Sequence, residues 1–282
     1  MVRCPVMERI ARVSLSLPLR ALALAAALVV GLVAAAPAAA GLVPHRAIYS
    51  VKLGSVRANA GFVDARGAAK IALEKTCDGW IMTQELSMDM GTAAGGTVKQ
   101  DIRSAGWESL DGKSYRFAVR NTMGRQVEGF KGEARLGAAG KPGKATFKVP
   151  PGKTMALPEG TLFPTGHTAW LIERALAGDR QAPGIVFDGT DGQGARKVIA
   201  FIGRRVESGR HGKKGLGALV RRPGWNIRMA FYPLDSRAAA PEYEIEVLQL
   251  DNGVVPRVVV DYPQLTVVMT MEKIEIIPLP RC

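Results

Sequence analysis

Histidine and cysteine are both scarce in this chain of 282 residues, with three of each. His45, His167 and His211 lie far apart, and no H-x-x-x-H pair or similar spacing suggests zinc. A G-x-S-x-G elbow, which would place a nucleophilic serine on a strained turn, is also missing. After residue 40 no apolar run is long enough to span a bilayer. Two Gly-rich strings imitate known motifs. Asp188-Gly189-Thr190-Asp191-Gly192-Gln193-Gly194 lacks the Asp spacing and closing Glu of a calcium loop, and Gly212-Lys213-Lys214-Gly215-Leu216-Gly217 lacks the G-K-[ST] ending of a phosphate loop. Hairpin loops account for both, so the sequence predicts no catalytic residue, no metal ligand, no cofactor and no enzyme.

What is present begins with a leader. Arg3, Arg9, Arg12 and Arg20 precede the apolar run from Ala21 to Ala36, and Pro37-Ala38-Ala39-Ala40 follows. This is the tripartite pattern of a secretory signal peptide, with Ala38 and Ala40 suited to signal peptidase and the cut expected before Gly41. Because residue 41 is Gly and not Cys, a lipid anchor at that point is not expected. The expectation is residues 1–40 as a cleaved leader, and 41–282 as one domain in the periplasm without a transmembrane anchor.

Cleavage changes two counts. Cys4 leaves, so only Cys77 and Cys282 remain, and in an oxidising compartment that count argues for one disulfide and no thiolate nucleophile. Four Arg and one Glu leave as well, so 34 basic side chains face 24 acidic ones, a net charge near +10. Such a surface suits anionic lipid head groups, lipopolysaccharide phosphates or an acidic protein, and nucleic acid is the wrong polymer for that compartment. The densest basic stretch runs through Arg204-Arg205, Arg210-His211-Gly212-Lys213-Lys214 and Arg221-Arg222. Its plainer reading is a solvated hairpin rim.

Beyond the leader, apolar residues alternate with period two between Gly, Pro and Asp turns, the pattern of half-buried antiparallel strands. Strands are expected at His45 to Leu53, Lys70 to Lys75, Trp80 to Leu86, Ser114 to Asn121, Gln126 to Leu136 and Ala145 to Val149. After the helix described next, others follow at Gly184 to Phe187, Arg196 to Val206, Asn226 to Tyr232, Glu242 to Leu250, Val254 to Tyr262 and Leu265 to Ile277. Cys77-Asp78-Gly79 and Asp251-Asn252-Gly253 read as tight turns. Small residues in Arg57 to Ala69 and Ala93 to Gly96 hint at interior room. More than ten strands must curl or close, because twist accumulates across a sheet. The fold class is therefore mainly β, a single large curled antiparallel sheet forming a spiral or broken barrel.

One segment has the helical period. Ala169, Leu171, Ile172, Ala175 and Leu176 predict one principal helix near residues 165–178, with Thr165 as cap and Gly178 as terminator. Trp170 is expected to fill core, with a place in a ligand cavity as the alternative. Among the histidines His167 is the best candidate for function, against the plainer reading of an early-helix residue bonded locally.

Several strings carry a resemblance when taken together. They are Gly41-Leu42-Val43-Pro44-His45-Arg46-Ala47-Ile48-Tyr49, Cys77-Asp78-Gly79-Trp80, Thr161-Leu162-Phe163-Pro164-Thr165-Gly166-His167-Thr168, Phe187-Asp188-Gly189-Thr190-Asp191-Gly192 and the final Cys282. Across residues 41 to 282 the chain resembles the EipB family of periplasmic cell-envelope integrity proteins. The resemblance implies a spiral, broken-barrel sheet with a helix across an opening and a structural disulfide between Cys77 and Cys282. It also implies a role in envelope stress resistance and interaction with a periplasmic tetratricopeptide-repeat protein, though no partner-binding residue can be transferred. The leading expectation is a non-enzymatic protein that supports envelope integrity through a protein partner. The alternative is a carrier or chaperone holding a lipid or lipidated peptide in the concavity of the sheet.

Overall fold

The computed structural model describes residues 41–57, 60–139, 141–208 and 215–282. The leader expectation for residues 1–40 lies outside these residues, as does the middle of the basic stretch, including His211.

The described chain is one sheet of fifteen strands with one α-helix. The first eight strands are β1 (His45–Val56), β2 (Phe62–Lys75), β3 (Gly79–Thr92), β4 (Thr97–Ser109), β5 (Ser114–Met123), β6 (Gln126–Arg135), β7 (Gly143–Val149) and β8 (Thr154–Leu157). The short β9 (Thr161–Leu162) leads into α1 (Pro164–Leu176). There follow β10 (Gln181–Val186), β11 (Arg196–Val206), β12 (Gly224–Pro233), β13 (Tyr243–Leu250), β14 (Arg257–Asp261) and β15 (Leu265–Ile276). Spatially the order runs from β8 down to β1, then from β15 down to β9, with β1 and β15 paired antiparallel at the centre. Every pairing is antiparallel except β9 with β10. The two edges, β8 and β9, are consecutive in sequence, so the sheet curls almost into a closed barrel with an unsealed seam between them. This is the expected spiral or broken barrel.

The alternating pattern explains which way each strand faces. In β1 the inward set is His45, Ala47, Tyr49 and Val51, all buried, and across the register these meet Leu73, Ile71, Ala69 and Gly67 of β2. Tyr49 and Val51 sit opposite Met271 and Met269 of β15. Fully burying such side chains contributes about 2 kcal/mol each, so a shifted register that exposed the whole set would be strongly disfavoured. Inner side chains gather in three clusters: one on β1, β2, β3 and β15, one between α1 and β10–β13, and an aromatic one on β5–β8 with Phe163 and Phe187. The interior room suggested by small residues is partly filled. Ala65, Gly67 and Ala69 of β2 face Met90, Met88 and Leu86 of β3, so long side chains occupy the space that small ones leave.

Three differences from the sequence reading have physical causes. The pattern gave no strand at β4, whose inward row is Val98, Gln100, Ile102, Ser104, Gly106 and Glu108, half of it polar, so the apolar alternation disappears. The strand expected from Val254 starts only at Arg257, because Pro256 and the turn around Asn252 keep that stretch irregular. Thr165 does not cap α1. The cap position is Phe163, whose side chain offers no acceptor, and Pro164 occupies the first turn. The other end follows the expectation: Gly178 has φ +86°, and the N–H groups of Gly178 and Asp179 reach the carbonyls of Ala175 and Arg174 in a Schellman arrangement.

Candidate functional site

The free N–H groups at the start of α1 are satisfied from another part of the chain. Glu108, at the end of β4, is buried, and its carboxylate accepts the backbone N–H of Thr165 and of Gly166, each at 2.8 Å. A carboxylate there also meets the positive end of the helix dipole. Burial pushes the Glu108 carboxyl up, and the two N–H bonds pull it part of the way back. Glu108 thus pins α1 to the inner wall. No sequence signal marked it, because half of its strand's inward row is polar.

Around this anchor the aromatic cluster assembles. Tyr115 stacks on Phe163 at 5.1 Å between ring centres, and Phe117 meets Phe147 and Phe187 edge-on at 5.2 and 5.5 Å. The Tyr115 hydroxyl donates to the Asp188 carbonyl at 3.1 Å, which fixes the loop after β10. That loop is the acidic Gly-rich string, and its carboxylates are engaged within the protein. Asp188 accepts from the N–H of Thr190 and Asp191 from the N–H of Gln193, while the buried Arg196 bridges Asp191 at 2.6 Å and Glu242 at 3.0 Å. Gly189 has φ +68°, and a Cβ there would collide with the Phe117 ring. Among the described residues no group of three or more His, Cys, Asp and Glu is placed to hold a metal ion. The strings Thr161 to Thr168 and Phe187 to Gly192, distant in sequence, therefore share one aromatic cluster.

Cys77 and Cys282, 205 positions apart in sequence, are joined, with Sγ atoms 2.07 Å apart. The turn carrying Cys77 is held by the Thr76 hydroxyl, which donates to Asp78 at 2.8 Å, and by the Thr76 N–H to the Gly79 carbonyl. That same hydroxyl bond is the main influence holding the Asp78 carboxyl below its ordinary range. At the other end, the chain after β15 is tied to the segment before β1 by the Ile277 N–H, which donates to the Pro44 carbonyl at 3.1 Å.

His167 is buried in the first turn of α1; its backbone N–H donates to the Phe163 carbonyl at 2.8 Å, as expected of an early-helix residue, while its Nε2 has no hydrogen-bond partner. Its ring stacks on Trp170 with centres 5.8 Å apart, and burial lowers its pKa to about 4. It borders a cavity of about 210 Å³ between α1 and the inner sheet, shared with His45, Tyr49, Gln249 and a largely apolar wall. His45 donates from Nδ1 to the Val43 carbonyl at 2.7 Å, and its pKa is lowered mainly by burial. Trp170 packs against the cluster beneath α1, as expected for core.

The described part of the basic stretch divides in two. Arg222 is committed to Asp251, at 2.8 and 3.0 Å. Arg204 and Arg205 join Arg180 along an open cleft of about 420 Å³ beside the end of α1, where Arg180 donates to the Gly203 carbonyl at 2.7 Å and Arg205 reaches Glu207 at 3.8 Å. None of the described helices is long and apolar enough to cross a membrane.

The model of the EipB-like family matches residues 36–278, almost the whole described chain. The chain belongs to this family. A relative, "Cell envelope integrity protein EipB" of Brucella abortus (strain 2308), is 25% identical over 251 residues, which is 86% of this chain and 87% of that protein. A solved structure, described as a beta-barrel-like protein of domain of unknown function DUF1849 from Brucella abortus, superposes with a TM-score of 0.78 at 22% identity. The match covers 85% of this chain and 100% of the other. The barrel-like architecture is thus common to both chains, and the β8–β9 seam, the Glu108 anchor and the Cys77–Cys282 bond describe how this one builds it.

Proposed function

We propose that this EipB-like chain supports cell-envelope integrity from the periplasm as a non-enzymatic binding protein, exported by a leader ending at Ala40. The observation that carries the reading is the 25% identity, across nearly the full length of both chains, with a relative named for cell-envelope integrity. The disulfide is consistent with an oxidising compartment. The buried charged groups Glu108 and Arg196 serve structural bonds.

The partner we propose is a periplasmic tetratricopeptide-repeat protein, with acidic surface meeting the Arg180, Arg204 and Arg205 cleft. The test is cross-linking in intact cells followed by purification of the tagged chain. Recovery of a repeat protein, lost when Arg204 and Arg205 are both changed to Glu, supports the reading. Recovery unaffected by that change removes the cleft as the contact, and recovery of no repeat protein removes the partner.

A carrier for a lipid or lipidated peptide is the second reading, favoured by the apolar cavity beneath α1. At about 210 Å³ that cavity is smaller than the roughly 300–1,000 Å³ of drug-sized pockets, so it suits a chain end and not a whole diacyl lipid.

A further inference from the structure

We propose that the free edge of β6, from Gln126 to Phe130, is a docking site where an acidic, extended segment of a partner protein adds as one more antiparallel strand. The site shares no residue with the Arg180 cleft and does not depend on that reading.

The edge is open because its neighbour stops short. β7 pairs with β6 only from Lys131 to Arg135, and it ends at Val149, where Pro150 and Pro151 have no N–H to continue the ladder. β6 itself pairs with β5 from Gln126 onward. Met123 and Gln126 close the tight turn at Gly124-Arg125, so Gln126, Glu128 and Phe130 exchange bonds with β5, while the N–H and carbonyl groups of Val127 and Gly129 point the other way. Among the described residues those groups have no backbone partner on that side. Unpaired groups of this kind are a template for a further strand. Val127 and Val149, 55% and 45% exposed, flank the opening.

The outer face beside this edge sets the chemistry of the occupant. There β3 to β6 form a trough of about 640 Å³ whose lining includes Ala105, Ala118 and Gly129. Arg103 and Arg120 stand directly opposite each other across β4 and β5, an unfavourable like-charge pair. Glu85 lies opposite Arg103 on β3, yet among the described residues neither arginine forms an ion pair. Arg120 in turn lies opposite Gly129, where a built Cβ would meet only the Val119 carbonyl oxygen, at 3.4 Å. No side chain blocks Arg120 from reaching over Gly129 toward the residue that would pair with it, two strand spacings or about 10 Å away. A carboxylate on that residue answers the arginine pair. Glu128 faces inward with Phe130, so the inward residues of the added strand are neutral and apolar. A second copy of the same edge is disfavoured, since it would set one arginine pair against another.

The probe is a capped peptide, Ser-Val-Glu-Val-Glu-Val-Glu-Ser, with its Gln counterpart as the neutral control. Fluorescence anisotropy with the purified, oxidised protein is expected to show the Glu peptide binding at least tenfold more tightly than the Gln peptide, a preference lost in Arg120→Glu. Hydrogen exchange read by NMR is expected to slow at least tenfold at the Val127 and Gly129 N–H groups on saturation, a readout that needs no substitution. Residues opposite Val127 and Gly129 face outward and turn their own N–H groups to β6, so N-methylation of the Glu residues should abolish binding and N-methylation of the Val residues should not. The proposal is overturned if the Glu peptide does not bind, if the two peptides bind equally, if exchange at Val127 and Gly129 is unchanged, or if N-methylated Glu is tolerated. A dimer in sedimentation that protects the same N–H groups without peptide would overturn it as well, by making a second copy the occupant.

Discussion

Glu108 accepts the backbone N–H of Thr165 at 2.8 Å, across 57 positions of sequence. One carboxylate on β4 thereby replaces the cap that α1 lacks locally, and with the Gly166 N–H it satisfies two donors that burial would otherwise leave unpaired. Glu108→Ala is expected to destabilise the fold by about 3 kcal/mol, from a lost cap and unsatisfied N–H groups. Glu108→Gln should cost less, since its amide oxygen can still accept one bond. Urea unfolding measures both, and an alanine variant as stable as the parent contradicts the anchoring role.

Acid should weaken the protein before the carboxylates titrate. His167 has a folded pKa of about 4 against 6.5 in the unfolded chain, so the unfolded state takes up the proton first as pH falls. Its contribution is fully present above pH 6.5 and declines between 6.5 and 4, by up to roughly 3 kcal/mol. His45 acts in the same direction. Glu108 acts oppositely: its raised pKa lets the native state bind a proton first, which returns some stability as pH falls through that value. Melting temperatures across this window should therefore drop with acid, and His167→Phe should flatten the decline. An unchanged slope in that variant contradicts the buried neutral imidazole.

The disulfide closes a loop of 205 positions, and the chain-entropy model allows such a link up to about 5 kcal/mol. Cys77→Ser and Cys282→Ser are each expected to lower the melting temperature and speed proteolysis. Reduction of the parent protein should reproduce both effects, and equal stability of oxidised and reduced forms contradicts a clasp that stabilises the fold.

Gly189→Ala tests the packing of the acidic loop. Its positive φ and the Phe117 ring leave no place for a methyl group, so a loss of about 2 kcal/mol is expected, part from backbone strain and part from displaced aromatics. Gly192→Ala offers a contrast, since its Cβ would meet chiefly the end of the flexible Lys153 side chain and its φ is not in the left-handed region. Urea unfolding of the two variants should separate them, and a harmless Gly189→Ala contradicts the close fit.

Strands such as β1 and β15 could be read from sequence because Ala47, Tyr49 and Val51, or Val267, Met269 and Met271, put apolar groups on one face only. The count of two remaining cysteines pointed to the Cys77–Cys282 bond without any geometry. Where polar residues take half of the inward row the pattern vanished, and with it went β4 and Glu108. The helix was legible from its spacing, but its cap was not, since a partner 57 positions away leaves no local trace. The spacing likewise placed His167 early in the helix without showing what surrounds its side chain. Only the curl of the sheet decides that its ring faces an apolar wall and not solvent.

The proposed role, protection of the envelope from the periplasm, requires both export of the chain and a loss of resistance without it. Its most direct measurement is colony formation on deoxycholate by a strain lacking the gene, complemented either by the full chain or by a chain without residues 2–40. Loss of the gene is expected to sensitise cells, the full chain to restore growth, and the leaderless chain to fail to do so. A deletion strain as resistant as its parent, or full rescue by the leaderless chain, would contradict it.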